Sequence, residues 1–190
     1  MTQQFSIKSF DDLTAVDVYH ILKARLQVFV VEQQCPYQDL DDNDFDCWHL
    51  VAHRDEALMG YCRILPPAQS SRLPELGLLP RIGRVLVLPE HRGRGLAREV
   101  MIEAISYCHK NFGKKPIEIS AQTYLIDFYS SLGFIAQGER YFEDGLEHIT
   151  MVLMPVKKVK KSQGLGMQLL VFLLLALAIA FIVGLIYLMI

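Results

Sequence analysis

The sequence predicts an α+β domain with a mixed sheet, followed by one membrane-spanning helix. Three observations carry that expectation. Strand-like and helix-like periods interleave as β-α-β-β-β-α-β-α-β-β over residues 5 to 154, mixing hairpins with helical crossovers. Asp144-Gly145 lies between two apolar runs, a strong hairpin signal. Leu169 to Ile190 is a run of 22 residues without charge, amide or proline. At 1.5 Å per residue it reaches across a hydrocarbon layer of about 30 Å.

Phe5 to Phe10 alternates weakly and is read as the first strand. Leu13 to Gln33 follows as a helix, with Val18, Leu22, Leu26, Phe29 and Val30 at helical spacing, and Pro36 ends it. Asp39 to Asp46 holds five aspartates and reads as a polar loop. Trp48 to His53 and Ala57 to Leu65 are apolar runs around Arg54-Asp55-Glu56, a hairpin. Pro66 to Pro80, rich in proline and serine, reads as a loop. Arg81 to Leu88 is the clearest strand. Leu96 to Phe112 is a helix whose stripe is Leu96, Val100, Met101, Ala104, Ile105 and Cys108. Ile117 to Gln122 is a strand, Tyr124 to Leu132 a short helix stopped by Gly133, and Phe134 to Phe142 with Leu146 to Met154 the closing hairpin.

Three regions follow: a domain over residues 1–156, a basic tether over 157–168 and the apolar helix over 169–190. Lys plus Arg number 19 and Asp plus Glu 21, for a net charge of −2, which excludes a dedicated nucleic-acid binder. Sixteen of the last 22 residues are Leu, Ile, Val or Phe, an insertion gain of about 5–10 kcal/mol at most. Lys157, Lys158, Lys160 and Lys161 flank that run, so the positive-inside rule puts the domain in the cytoplasm, with the lysines near anionic lipid headgroups. No signal-peptide pattern opens the sequence, and the expectation is a single-pass C-terminal anchor. Ala176, Ala180 and Gly184 form a small-residue stripe suited to pairing helices into a homodimer. Cys35, Cys47, Cys62 and Cys108 show no CxxC spacing and are expected as free thiols in a reducing compartment.

The most informative segment is Val85-Leu86-Val87-Leu88-Pro89-Glu90-His91-Arg92-Gly93-Arg94-Gly95-Leu96-Ala97. A strand stops at proline and passes through two glycines into a helix. Gly93 and Gly95 let a ligand approach the backbone, and the first helical N–H groups are unpaired at a positive dipole end, an anion site. Arg92 and Arg94 add charge suited to phosphate. A P-loop is excluded because Leu96-Ala97 stands where Lys-Ser/Thr is needed, and a dinucleotide fingerprint because Arg98 occupies its last glycine.

Arg92-x-x-Gly95-x-Ala97 after an apolar strand resembles the Gln/Arg-x-x-Gly-x-Gly/Ala signature of GCN5-related N-acetyltransferases. Val28-Phe29-Val30-Val31-Glu32-Gln33-Gln34-Cys35-Pro36-Tyr37-Gln38-Asp39, Ile82-Gly83-Arg84-Val85 and Phe128-Tyr129-Ser130-Ser131-Leu132-Gly133-Phe134 are similar to the ElaA-type branch. The similarity covers about residues 5 to 155; the membrane tail is a departure from that branch. The resemblance implies a mixed, mostly antiparallel central sheet flanked by helices. It implies a loop wrapping the pyrophosphate of acetyl-CoA, with Leu86, Val87 and Leu88 along the pantetheine and Arg92, Gly93, Arg94, Gly95, Leu96 and Ala97 at the phosphates. Tyr129 stands at the family's general acid, and a phenol can protonate a departing thiolate. His148 and His49 are candidate bases, with Glu32 a third; histidine titrates near neutrality.

The aspartate loop is read as solvated, with an attraction for a cationic acceptor as the alternative. It fails the EF-hand pattern, since Cys47 and His53 stand where Gly and Glu are required from Asp42. Cys47, His49 and His53 make no zinc set, and no metal is expected. The expected activity is transfer of an acetyl group from acetyl-CoA to an amine, small molecule or protein, beside a membrane. A non-catalytic acyl-CoA sensor or adaptor is the alternative, and a longer acyl donor stays open.

Overall fold

The computed structural model describes residues 3–55 and 57–155. The basic tether, the apolar run 169–190 and the stripe of Ala176, Ala180 and Gly184 lie outside them. Among the described residues no helix is long and apolar enough to cross a membrane.

Strands β1 (Gln4–Ser9), β2 (Trp48–Arg54), β3 (Ala57–Gln69), β4 (Leu78–Val87), β5 (Ile117–Gln122), β6 (Ile135–Glu143) and β7 (Leu146–Leu153) form one seven-stranded sheet in the order β1-β2-β3-β4-β5-β7-β6. Every neighbouring pair is antiparallel except β4 with β5. That parallel step follows from the connection: α2 (Leu96–Asn111) crosses one face of the sheet between them. Buried Leu96, Val100, Met101, Ala104 and Cys108 of α2 meet Leu50, Ile64, Ile82, Ile117 and Ile119, the main core, which also takes Tyr129 of the short α3 (Ile126–Ser130). Side chains of opposite pleat form a smaller cluster, where Tyr61 and Leu86 meet Ile21, Ala24 and Val28. The Asp144-Gly145 turn closes the last hairpin with φ of +50° and +80°, as its residue types require.

Two elements differ from the sequence expectation. The first helix is α-helical only over Ala15–Arg25 (α1), opened by a Thr14–Asp17 capping box; Leu26–Glu32 widens into π-helical turns. The expected loop at 66–80 shrinks to residues 70–77, because β3 runs on through Gln69 and β4 begins at Leu78. Pro66 and Pro67 fall where the β3–β4 register slips between Leu65 and Ala68, so their missing N–H groups interrupt no ladder.

The acidic loop is the larger correction, because Asp39 and Asp44 are buried in ion pairs rather than solvated, and Asp41, though exposed, is tied to Arg63. Arg25 is fully buried, with Nε 2.8 Å from Asp39 Oδ2 and Nη1 2.6 Å from Asp44 Oδ1. Arg63 donates to both Asp41 oxygens at 2.6 Å and to Asp44 at 3.1 Å. Arg84 Nε reaches Asp39 Oδ1 at 2.7 Å, the same oxygen that accepts the Tyr37 hydroxyl at 2.7 Å. Burial by itself would raise the Asp39 carboxyl, but the Tyr37 bond and the Arg25 and Arg84 charges outweigh it and hold it below the usual carboxylate range. Burial and Arg63 oppose each other in the same way at Asp41, and Arg63 prevails.

A carboxyl lowered by folding stabilises above its unfolded pKa of about 3.9 and ceases to do so as pH falls through the folded value. Urea titrations should therefore show stability declining below about pH 4. Asp39→Asn should lose about 3 kcal/mol at pH 7, the lower end for a broken buried pair, because Arg25 keeps Asp44 but loses its second carboxylate and Arg84 Nε loses the charge it is paired with.

Candidate active site

The site begins where the sheet stops pairing. β4 and β5 register at one pair, Arg81 with Glu118, and then part. A bulge in β4 lies just beyond: between the pairs Arg63–Gly83 and Tyr61–Leu86, β4 contributes one residue more than β3. The bulge puts Arg84 at a φ of +51°, a left-handed conformation unusual for a residue with a side chain, and Asp39 grips its guanidinium. The β5-facing backbone edge of residues 82–87 is left without a strand partner, a template for an extended ligand.

Between the strands lies a cleft of about 690 Å³. Ile82 to Val87 form one wall and Tyr124, Leu125, Phe128 and Tyr129 the other. Phe29, Glu32 and Gln33, turned inward by the π-helical segment, complete it. Gln33 and Gln122 exchange side-chain hydrogen bonds at 3.3 and 3.1 Å, tying that segment to β5. Val87, Arg92, Ala97 and Phe128 are shared with a second hollow of about 280 Å³ at the glycine loop.

Gly93 and Gly95 take φ of +74° and +85°, where any side chain is strained. The amides of Gly93, Arg94, Gly95, Leu96 and Ala97 donate to no acceptor among the described residues, and no side chain caps α2. Five backbone donors at a helix start constitute an anion cradle. Leu96 anchors it by its buried side chain. Arg92 differs from expectation: its Nη atoms form a two-pronged ion pair with Glu32 at 2.7 and 2.8 Å, and its Nε donates to the Val87 carbonyl. It positions the loop, and its guanidinium is already engaged. The Arg92 hydrogen bond holds the Glu32 carboxyl below its ordinary value, which disfavours proton uptake there. Arg94 is exposed. Leu86 and Val87 line the cleft; Leu88 does not, and its amide is committed to the Met59 carbonyl at 2.9 Å.

Tyr129 is 6% exposed, set edge-on to Phe128 and Phe134, and it lines the cleft. Burial pushes its phenol well above the ordinary value. His148 also lines the cleft, stacked on Tyr141. Its Nδ1 is 2.9 Å from the Leu146 carbonyl, which can only accept; Nδ1 therefore carries the proton in the neutral ring and Nε2 keeps its lone pair.

His49 lies elsewhere. It is buried, its Nε2–H donating to the Asp44 carbonyl at 3.0 Å and its Nδ1 accepting from the Tyr61 hydroxyl at 2.8 Å. Burial lowers its pKa, keeping it neutral. With both nitrogens engaged away from the cleft it has nothing to offer a substrate, which corrects its place among the candidate bases. Asp44, Cys47 and His49 converge within 4.8 Å, but the set does not suit a cation. The Cys47 thiol is pushed up to about 12 by burial, and Arg25 and Arg63 already hold the Asp44 carboxylate. All four cysteines are free and buried.

Sequence reasoning missed the closed end of the cleft. Glu118 is a buried charge between Ile117 and Ile119, and its position in an apolar strand was the available signal. Ser120 and Tyr141 share a 2.6 Å hydroxyl bond there, and the Arg72 guanidinium lies 3.3 Å from the centre of the Tyr141 ring.

A mostly antiparallel sheet that splits at one parallel step, with a glycine-rich helix start beside the opening, defines an acyl-CoA-dependent acyltransferase. The chain belongs to the GCN5-related N-acetyltransferase family: the family's model, described as an acetyltransferase (GNAT) domain, matches residues 11–155. Within that family it is similar to the ElaA protein of Escherichia coli, at 37% identity over 142 residues, 74% of this chain and 89% of that one. The crystal structure of E. coli ElaA superposes with a TM-score of 0.71 at 34% identity, over 80% of this chain and 99% of that one. An acyl-CoA N-acyltransferase from Pseudomonas aeruginosa superposes with a TM-score of 0.72 at 37% identity and the same coverage. The chain is thus an N-acetyltransferase of a family that binds acyl-CoA.

Replacing His49 by Ala leaves the buried Tyr61 hydroxyl without its acceptor. The expected loss is about 1–3 kcal/mol in denaturant titrations, with turnover per folded molecule unchanged.

Proposed function

We propose that the chain moves the acetyl group of acetyl-CoA to a primary amine by direct attack, at the cytoplasmic face of a membrane to which residues 169–190 anchor it. The observation that carries the donor half is the run of five unpaired amides at the start of α2, continuous with the unpaired edge of β4. Phosphate oxygens suit the first and an amide-bearing pantetheine arm suits the second. Residues 93–97 hold the diphosphate and Leu86 and Val87 bind the arm, with Arg92 fixing the loop through Glu32. His148, through the lone pair on Nε2, takes the proton the amine must lose. Tyr129, kept neutral by burial, protonates the departing thiolate. The new C–N bond forms as the C–S bond breaks, and proximity supplies much of the acceleration. The tether raises effective concentration toward membrane-proximal acceptors.

Calorimetric titration of acetyl-CoA into the chain tests the donor site: saturable binding is expected, and Gly95→Glu should abolish it in a folded protein. Tyr129→Phe should lower kcat about 100-fold, the lower end for a positioned acid, with acetyl-CoA affinity retained. Because burial raises the Tyr129 phenol, the rate should show no fall from its ionisation below about pH 10. Deleting residues 157–190 should end sedimentation with anionic lipid vesicles while the intrinsic turnover persists; co-sedimentation of the shortened chain would overturn the anchor.

A further inference from the structure

The closed end of the cleft holds two charges that the fold leaves unused. Glu118 is 8% exposed, and its Oε2 is buried with no hydrogen-bond partner. Arg81, its partner across the single β4–β5 bridge, has a buried Nε that likewise donates to nothing. Both side chains line the cleft, and both belong to the pleat that carries Gly83 and Ser120. No ion pair joins them, and none ties either to another charge among the described residues. This is exceptional in a protein that elsewhere places carboxylates within 2.6–2.8 Å of Arg25, Arg63 and Arg84. Buried charge without a partner is costly, and its presence in a cleft marks a place for a ligand.

The position fits the acceptor rather than the donor. The phosphate cradle lies past the C-terminal end of β4, and the unpaired edge of residues 82–87 leads from it toward Arg81. An extended donor entering at the cradle runs out at the Arg81–Glu118 bridge. The second substrate must meet it there.

We infer that Glu118 and Arg81 form the acceptor subsite, and that the acceptor is an amine that also bears an acid group, as a small free amino acid does. Its ammonium goes to the Glu118 carboxylate and its acid group to the Arg81 guanidinium; Glu118 lies four residues along β5 from Gln122, the register partner of His148, so the amine's proton reaches His148 through water rather than by direct contact. A simple amine would satisfy Glu118 but leave the Arg81 Nε unmet and set another cation beside it. Arg72, over the Tyr141 ring, is a second cation of the same cleft that makes no ion pair among the described residues. Adjacent strands run about 4.8 Å apart, so the two side chains leave the backbone at a spacing suited to an amine and an acid a few bonds apart. A protein lysine carries no acid group beside its amine and does not match. The inference rests on the acetyl-transfer reading and narrows its acceptor class.

The test uses the full chain and matched acceptors, each an amino acid and the amine left by its decarboxylation: phenylalanine with phenethylamine, leucine with isopentylamine, alanine with ethylamine. Thiol release from acetyl-CoA gives kcat/KM for each. The expected result is at least a tenfold preference for the acid-bearing member of a pair. Arg81→Met should raise the amino acid KM about tenfold and erase that preference, while acetyl-CoA affinity by calorimetry stays unchanged. Arg81→Lys should restore part of it, and Glu118→Gln should raise KM for both members. Equal or better use of the decarboxylated amines, or a preference surviving Arg81→Met, overturns the inference and leaves acetyl transfer standing. If Arg81→Met does not fold, the paired panel on the unaltered protein and Arg81→Lys decide. Acetyl-CoA binding with no transfer to any amine overturns both readings.

Discussion

Asp39 holds the structure to its active shape. One carboxylate, closed off from solvent, accepts from Arg25 on α1, from Arg84 at the β4 bulge and from the Tyr37 hydroxyl. Its backbone carbonyl accepts from both arginines as well, at 2.9 and 3.2 Å. A side-chain-bearing residue in the left-handed region costs on the order of 1–3 kcal/mol and persists only where its surroundings over-determine it. Arg84 meets that condition through Asp39. Were the bulge relaxed, β4 would run straight and pair with β5 beyond Arg81, and the cleft would close. The donor groove therefore depends on an ion pair between residues 45 apart in the chain.

This dependence explains which parts of the molecule were legible in the sequence. The glycine loop and the Asp-Gly hairpin are local: positive φ is written into residue type, and both stand where the residues imply. The stripe of α2 is local too. The acidic loop is not, because what draws Asp39 and Asp44 into the interior and ties down the exposed Asp41 is arginine at 25, 63 and 84. Spacing within the loop carries no trace of those partners. His49 and His148 are equally hard to separate, since both sit on strands with apolar neighbours. Which one meets the cleft follows from the pleat and the strands beside it. Arg92 reads as a phosphate ligand in one dimension and as the partner of Glu32 in three.

The allocation of charge around the donor site has a common logic. Glu32 holds Arg92, Asp39 holds Arg84, and Asp41 with Asp44 holds Arg63, so much of the positive charge near the cleft is neutralised within the protein. The donors left free for an anion are backbone N–H groups, whose direction is set by Gly93 and Gly95 and by the seating of Leu96. Such donors are fixed in geometry and lose no side-chain entropy on binding, whereas arginines would have to be ordered. The Cys47 and Cys108 thiols add no competing nucleophile, since burial pushes both up to about 12.

The parting of β4 from β5 also bears on how the protein breathes. The sheet's hydrogen-bond ladder comprises two panels, β1 to β4 and β5 to β7, stitched by one bridge and by clasps such as Gln33 with Gln122 and the Cys35 thiol with the Asp144 carbonyl, while the core under α2 runs beneath both. Backbone groups along such a seam have no ladder partner, so their exchange with solvent is expected ahead of the ladders that flank it. A donor bound as proposed, along the β4 edge, would act as the absent rung between them. Occupancy would then do mechanical work as well as chemical, since a molecule consumed at every turnover would also complete the weave of the enzyme that consumes it.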